Sequence, residues 1–327
     1  MAFNEQYRRQ VELLVRILPH VAEEDCFGLK GGTAINLFLR DMPRLSVDID
    51  LTYLPIEPWA RSLAEIDAAL KRIESRIQSS EPDARITRST PASQDEITKL
   101  LIRSRDGVQI KIEVTPVLRG AVYEAQWMPV SQSVEDDFGF AEAQILSFAD
   151  LYAGKIIAAL DRQHPRDLFD VHHLLATEGI NESLRAALIV YLVSHDHSPH
   201  SLLDPIRKDI TQDFMQSFAG MADDGVTLEQ LIEAREQGIA DVVKNMPDSH
   251  KQFLRSFYQR KPDWELVGRQ GAEKLPAVPC GHGEHQLLTL QPLLDAHSLS
   301  ALLLFALFDR GSASLQLSQV LLVIYST

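Results

Sequence analysis

Two acids spaced two residues apart on an alternating segment constrain this chain more than any other feature. In LSVDIDLTYL (45–54), Val47, Ile49 and Leu51 alternate with Asp48 and Asp50. Side chains of a strand point to opposite faces in turn, so the apolar residues share one face and the two acids share the other. Such a strand belongs in a sheet with one covered face and one polar face. Acids at i and i+2 have side-chain origins about 6–7 Å apart. That spacing suits a hard divalent cation, since magnesium takes oxygen ligands and is usually held by one or two carboxylates plus substrate phosphates. Upstream, Gly31-Gly32-Thr33 sits between a short apolar stretch and a helix pattern closed by Pro43. Glycines allow a triphosphate to approach the backbone closely, and the N-terminus of the helix they open favours phosphate. An isolated Asp-x-Asp is more often two solvated acids at a strand edge. The glycine pair before it and a strand carboxylate after it move the reading toward metal-assisted phosphate chemistry.

That later carboxylate is Glu113. Residues 96–117 read as a hairpin about Asp106-Gly107, a preferred two-residue turn. Val108, Ile110, Ile112 and Val114 share one face of its second strand, and Gln109, Lys111 and Glu113 share the other. Glu113 is therefore a candidate third metal ligand; a surface acid paired with Lys111 is the plainer alternative.

The second half of the chain is helical in pattern. Residues 4–24 and 58–78 are the earlier helices, and a looser stretch around Gly120 and Gly139 follows the hairpin. Ser147 and Asp150 form a capping-box-like start for a helix through 151–162. His164-Pro165 restarts the chain, with proline at the first helical position, and RDLFDVHHLLAT (166–177) continues until Gly179. Lys155 stands among apolar neighbours and either snorkels to water or faces nucleotide phosphates. Arg166 and Asp170 are spaced i, i+4, which by itself predicts an ordinary helix ion pair. His172-His173 reads as core or surface histidine. SHDHSPHS (194–201) and CGHGEH (280–285) are weak metal candidates of irregular spacing. Neither a Walker A pattern nor a GxSxG elbow is present.

Composition narrows the class. The 327 residues suffice for two ordinary domains, and 45% hydrophobic with 24% charged residues is globular. A formal net charge of -14 argues against a chain that grips nucleic acid with its whole surface, though not against a local basic groove. Two distant cysteines, Cys26 and Cys280, imply no disulfide framework and a reducing, cytoplasmic setting. The N-terminal segment reads as an amphipathic helix rather than a signal peptide, and LSALLLFALF (299–308) is too short to span a bilayer.

FGLKGGTAINLFLRDMPRLSVDIDL (27–51) and LYAGKIIAALDRQHPRDLFDVHHLL (151–175), taken together and in this order, resemble the AbiEii/AbiGii toxin family of type IV toxin–antitoxin and abortive-infection systems, which is similar to the MenT nucleotidyltransferase toxins. The resemblance covers roughly residues 8–265. It implies an α+β architecture: a polymerase-beta-like nucleotidyltransferase domain with mixed sheet and flanking helices, followed by a helical domain. The expected division is 1–135, 136–268 and an atypical tail at 269–327, where the family pattern ends. The resemblance further implies that Gly31, Gly32 and Thr33 hold an NTP and that Asp48 and Asp50 hold Mg²⁺. Lys155 matches a family lysine for the nucleotide, Asp170 a late-motif aspartate needed for activity, and Arg166 lies in the same motif. Thr33 stands where classical nucleotidyltransferases carry Ser. Relatives act on RNA, in some cases tRNA, and are countered by an antitoxin protein. The alternatives are a nucleotide-binding module without transfer activity, and a nucleotidyltransferase acting on a small molecule or protein.

Overall fold

The computed structural model describes residues 4–91, 95–222 and 225–275. The fold grows from the alternating segments. Phe27–Lys30 (β1), Asp48–Tyr53 (β2), Lys99–Arg103 (β4) and Gln109–Val114 (β5) carry Leu29, Ile49, Leu51, Leu100, Ile102, Ile110 and Ile112 into one buried layer. Arg85–Ser89 (β3), Gln126–Pro129 (β6) and Glu142–Ile145 (β7) complete a seven-stranded sheet of order β3-β4-β5-β2-β1-β7-β6. The sheet is mixed: β2 runs parallel to β5 and β1 parallel to β7, while the other neighbours are antiparallel. The helices Glu5–Ala22 (α1) and Trp59–Ser80 (α3) cover the apolar face, burying Leu14, Ile17, Ile66, Leu70 and Ile73 against it.

Between β1 and β2 the chain enters a helix directly at Gly31–Thr33 and continues as a wider π turn through Ala34–Leu39 (together α2). A short helix, Gln132–Phe138 (α4), joins β6 to β7. Phe148–Asp161 (α5), Pro165–Thr177 (α6), Glu182–Val193 (α7), Pro199–Leu203 (α8), a turn pair Thr211–Asp213 and Phe214–Phe218 (α9), Leu228–Lys244 (α10) and Asp248–Tyr258 (α11) then form a helical bundle. The architecture is α+β, as expected. None of the helices among the described residues is long and apolar enough to cross a membrane.

Several local signals are realised as read. Ser147 caps α5 by accepting from the Asp150 amide, and Pro165 opens α6 behind His164, whose ring accepts from the Arg166 amide. Others are refined. The β4–β5 turn is longer than two residues: the Gly107 amide donates back to the Ser104 carbonyl, and Gly107 itself takes φ +87°. A tight turn followed by a left-handed glycine makes a three-residue hairpin loop, with the bulge that glycine permits. The loose stretch after the hairpin holds β6, α4 and β7, so the sheet runs past the boundary expected at residue 135. These strands are four residues long, and β6 is largely exposed, so neither shows an alternation in sequence. The chain after Leu275, including Cys280 and the CGHGEH segment, lies outside the described residues.

Candidate active site

The parallel register of β2 and β5 builds the site. Asp48 lies opposite Lys111 and Asp50 opposite Glu113, while the antiparallel partner β1 sets Lys30 beside Asp50. Asp48, Asp50 and Glu113 therefore share the polar face of the sheet, interleaved with Lys30 and Lys111. The three acids are not equivalent. Glu113 accepts from Lys99 Nζ at 2.8 Å and from Lys111 Nζ at 2.7 Å. Burial raises its pKa, but those two lysines outweigh burial and hold it below the usual value. Asp50 behaves oppositely. Its burial and the adjacent Asp48 push it up, and Lys30, Lys111 and Lys155 only partly offset them. Lys30 is pushed down by burial, against the pull of Asp50 and Glu113.

The glycine turn is built around Asp50. Gly31 has φ +74°, and a Cβ there would lie 2.8 Å from Asp50 Oδ2. A Cβ on Gly32 would lie 2.6 Å from an Arg44 guanidinium nitrogen and 2.9 Å from Ser46 Oγ. At Gly31 the left-handed backbone requires glycine, and at Gly32 a Cβ would have to displace the Arg44 guanidinium that Asp170 holds and the Ser46 hydroxyl. Thr33 is fully buried; its hydroxyl bonds to the Asp48 carbonyl and to Ser46 Oγ, tying the start of α2 to the start of β2. The first-turn amides of a helix have no partner within it, so the backbone of Gly31, Gly32 and Thr33, rather than the Thr33 side chain, is the part suited to phosphate.

Behind this open pair lies a closed one. Asp170 is buried and accepts from Arg44 Nε at 2.8 Å, Arg44 Nη2 at 2.6 Å, Asn36 Nδ2 at 3.0 Å and Lys155 Nζ at 3.0 Å. Asp167 accepts from Lys155 Nζ at 2.8 Å and from Arg162 Nε at 2.6 Å. Burial alone would raise both acids; Arg44 and Lys155 around Asp170, and Lys155 and Arg162 around Asp167, hold both below the usual carboxylate range. The helix pair expected between Arg166 and Asp170 is not formed. Asp170 turns inward to Arg44 and Lys155, and Arg166 has no ion-pair partner among the described residues. Lys155 does not snorkel; it is buried between two aspartates, yet near enough to Asp50 to act on it, as Asp50 in turn acts on the exposed Arg162.

The network joins the two sequence motifs. Arg44 lies in the connection just before β2, Asn36 lies in α2, and Lys155, Asp167 and Asp170 lie on α5 and α6. Arg44, Asn36, Arg162 and Lys30 are the residues that sequence reasoning missed. Asn36 inside the apolar run AINLFL is the one local signal among them; Arg44 follows Arg40 and Asp41 in a polar connection, and Lys30 and Arg162 carry no mark in their neighbours. Of the histidines, His197 pairs with Asp161 at 2.7 Å, and His173 packs on Phe169. Among the described residues, no three His, Cys, Asp or Glu side chains come together as a group that could hold a metal ion.

A mixed sheet that carries an acid pair beside a glycine turn, backed by helices, is an α+β scaffold suited to phosphate chemistry, and the family to which the chain belongs gives that chemistry its class: nucleotidyl transfer. The chain belongs to the AbiEii nucleotidyltransferase toxin family of type IV toxin–antitoxin systems, whose model matches residues 12–269. Its fold is similar to that of MenT4, a nucleotidyltransferase toxin from Mycobacterium tuberculosis H37Rv, with a TM-score of 0.54, 13% sequence identity, and coverage of 81% of this chain and 94% of that one. No protein of curated function matches the chain by sequence.

Proposed function

We propose that this toxin transfers a nucleotidyl group from an NTP to an RNA acceptor, tRNA in particular, with Mg²⁺ bound at Asp48 and Asp50. The carrying observation is the acid pair itself: two carboxylates on one sheet face, one of them raised by burial and by its neighbour, set against the Gly31 bend. Two carboxylates with phosphate oxygens are an ordinary magnesium donor set. Glu113 stands next in register as a third carboxylate, once Lys99 and Lys111 turn to phosphate. With Mg²⁺ bound there, these carboxylates would place its charge where it neutralises the transferring phosphate.

The chain's own residues do the rest. The Gly31–Thr33 backbone receives the triphosphate at the helix start. Lys155 and Arg162 supply positive charge toward the acids and phosphates from the α5 side. An acceptor hydroxyl attacks the α-phosphate and pyrophosphate leaves, so catalysis rests on positioning and charge stabilisation. Asp170 touches no open space. It is a positioning residue, holding Arg44 under Gly32 and Lys155 toward the site, with Asp167 as the second anchor for Lys155. The toxin acts in the cytoplasm and is held in check by a cognate antitoxin protein.

Purified protein incubated with α-labelled NTPs and total tRNA tests the reading. Wild type should label tRNA and Asp48→Ala should not; equal labelling by both would contradict it. NTP binding without transfer to any acceptor would instead favour a binding module, and label found only on a small molecule or protein would place the acceptor elsewhere.

A further inference from the structure

The sheet face that carries the acid pair continues past it, uncovered by any described element, to the edge strand β3. Register puts its side chains in rows. Asp50, Glu113, Lys99 and Ser89 form one row across β2, β5, β4 and β3; Asp48, Lys111, Leu101 and Thr87 form the next; Gln109, Arg103 and Arg85 form the last. The opposite face of the same strands is sealed, with Leu100, Ile102 and Ile112 fully buried beneath α1 and α3. On the open face every one of these residues is exposed or half-exposed.

Two features of this face need an explanation. Arg85 and Arg103 stand directly opposite each other on neighbouring strands, both exposed, and neither has an ion-pair partner among the described residues. Like charges directly opposite across strands destabilise a sheet. Other exposed arginines of this region are neutralised: Arg88, on the opposite face, pairs with Glu74, and Arg105 pairs with Asp83. The second feature is the balance of charge. Arg85, Arg103, Lys99 and Lys111 outnumber Glu113 on these three strands, in a chain of formal net charge -14. A local cationic lane leading to the acid pair is thus set into an acidic molecule. Strands lie about 4.8 Å apart, so the Arg85–Arg103 pair stands roughly 10–15 Å from β2. That is the reach of the next few nucleotides of a strand whose end lies at Asp48 and Asp50. Half-exposed Leu101, between the lysines and the arginines, offers an apolar surface to a base.

We propose that the open face of β3, β4 and β5 is the acceptor-strand platform, with Arg85 and Arg103 gripping phosphates of single-stranded RNA upstream of the reacting hydroxyl. The proposal rests on the transfer reading above. RNA fits this surface because the partner must carry regularly spaced negative charge and must end at the acids.

The test compares wild type with R85Q/R103Q in two assays: transfer of a nucleotide to tRNA, and binding of tRNA across a salt series. A double neutralisation on the far face, R61Q/K71Q on α3, controls for net charge, since both residues are exposed and paired only within their own helix or its entry. The platform predicts a severalfold rise in KM for tRNA in R85Q/R103Q, with KM for NTP unchanged. It also predicts that the log–log salt slope of binding becomes shallower by about 0.7 for each single-strand phosphate that is no longer neutralised. Thermal stability should hold or rise, because a like-charge pair has been removed. R61Q/K71Q should resemble wild type. If R85Q/R103Q keeps the wild-type KM and salt slope while wild type labels tRNA, the platform is overturned and the transfer reading stands. If wild type labels no RNA at all, the reading falls and the platform with it.

Discussion

Two pairs of aspartates lie within one molecule, and they are solved in opposite ways. Asp48 and Asp50 sit two residues apart on a strand, on an open face, with Asp50 raised by burial and by its neighbour. Asp167 and Asp170 sit three residues apart on a helix, buried, with their oxygens taken by Arg162, Lys155, Arg44 and Asn36. Identical side chains thus do different work. The helix pair is saturated from within and locks α5 and α6 to the start of β2. At the strand pair burial and Asp48 outweigh Lys30, Lys111 and Lys155, so Asp50 stays raised; in the proposed function Mg²⁺ would supply the balancing charge. A buried pair that is broken leaves an uncompensated charge, whereas replacing a strand acid would, in the proposed function, remove a metal ligand.

The comparison breaks most visibly at the strand pair. Asp48→Ala and Asp50→Asn should each lower the transfer rate by on the order of a thousandfold, since a group that stabilises transition-state charge is removed. Asp50→Asn should unfold at no lower temperature than wild type, because the charge it removes is one that burial disfavours. Circular-dichroism melting beside the rate assay checks both halves. At the helix pair the balance reverses. Asp170→Asn strands Arg44, and breaking a buried pair costs about 3–5 kcal/mol of stability. Its activity, measured below its melting transition, should fall less than that of Asp48→Ala. A loss of activity with an unchanged melting temperature would instead make Asp170 a group at the chemistry.

Smaller effects sharpen the contrast. Gly31→Ala forces a side chain onto a left-handed backbone and against Asp50, at about 1–2 kcal/mol of stability. Its Mg²⁺ affinity should drop with it, as read by calorimetry. The pH dependence carries opposite signs in the two regions. Asp167 and Asp170 have folded pKa values below the unfolded ones, so their stabilisation is present above about pH 4 and fades as pH falls through the folded values. Asp50 has a raised folded pKa, so it subtracts stability as pH rises from about 4 through that higher value. Melting temperature against pH should therefore gain a rising contribution at acid pH from the helix pair. Asp50→Asn should remove a falling one at higher pH. The smallest effect belongs to Arg162→Gln. Its side chain is 61% exposed, so losing the pair with Asp167 should cost under about 1 kcal/mol.

The sequence showed most where patterns are local. Strict alternation exposed β2 and β5 and placed Asp48, Asp50 and Glu113 on one face; the caps at Ser147 and Pro165 marked α5 and α6. What it concealed depends on distance along the chain. Nothing near Asp170 announces that its partner is Arg44, 126 residues earlier, rather than Arg166 one helical turn before it. Parallel pairing of β2 with β5, which brings Lys111 and Glu113 to the acids, is likewise a long-range choice, as is the insertion of four-residue β7 beside β1. The glycines were legible as a turn; that Gly32 makes room for an arginine below it was not.

Electron paramagnetic resonance of bound Mn²⁺ in the presence of a non-reactive NTP analogue tests the division between the two pairs most directly. Wild type and Arg61→Gln, an exposed residue of α3 apart from both pairs, should bind the ion with the analogue, and Asp48→Asn and Asp50→Asn should lose it while remaining folded. Mn²⁺ held with wild-type affinity after both strand acids are replaced would contradict the account.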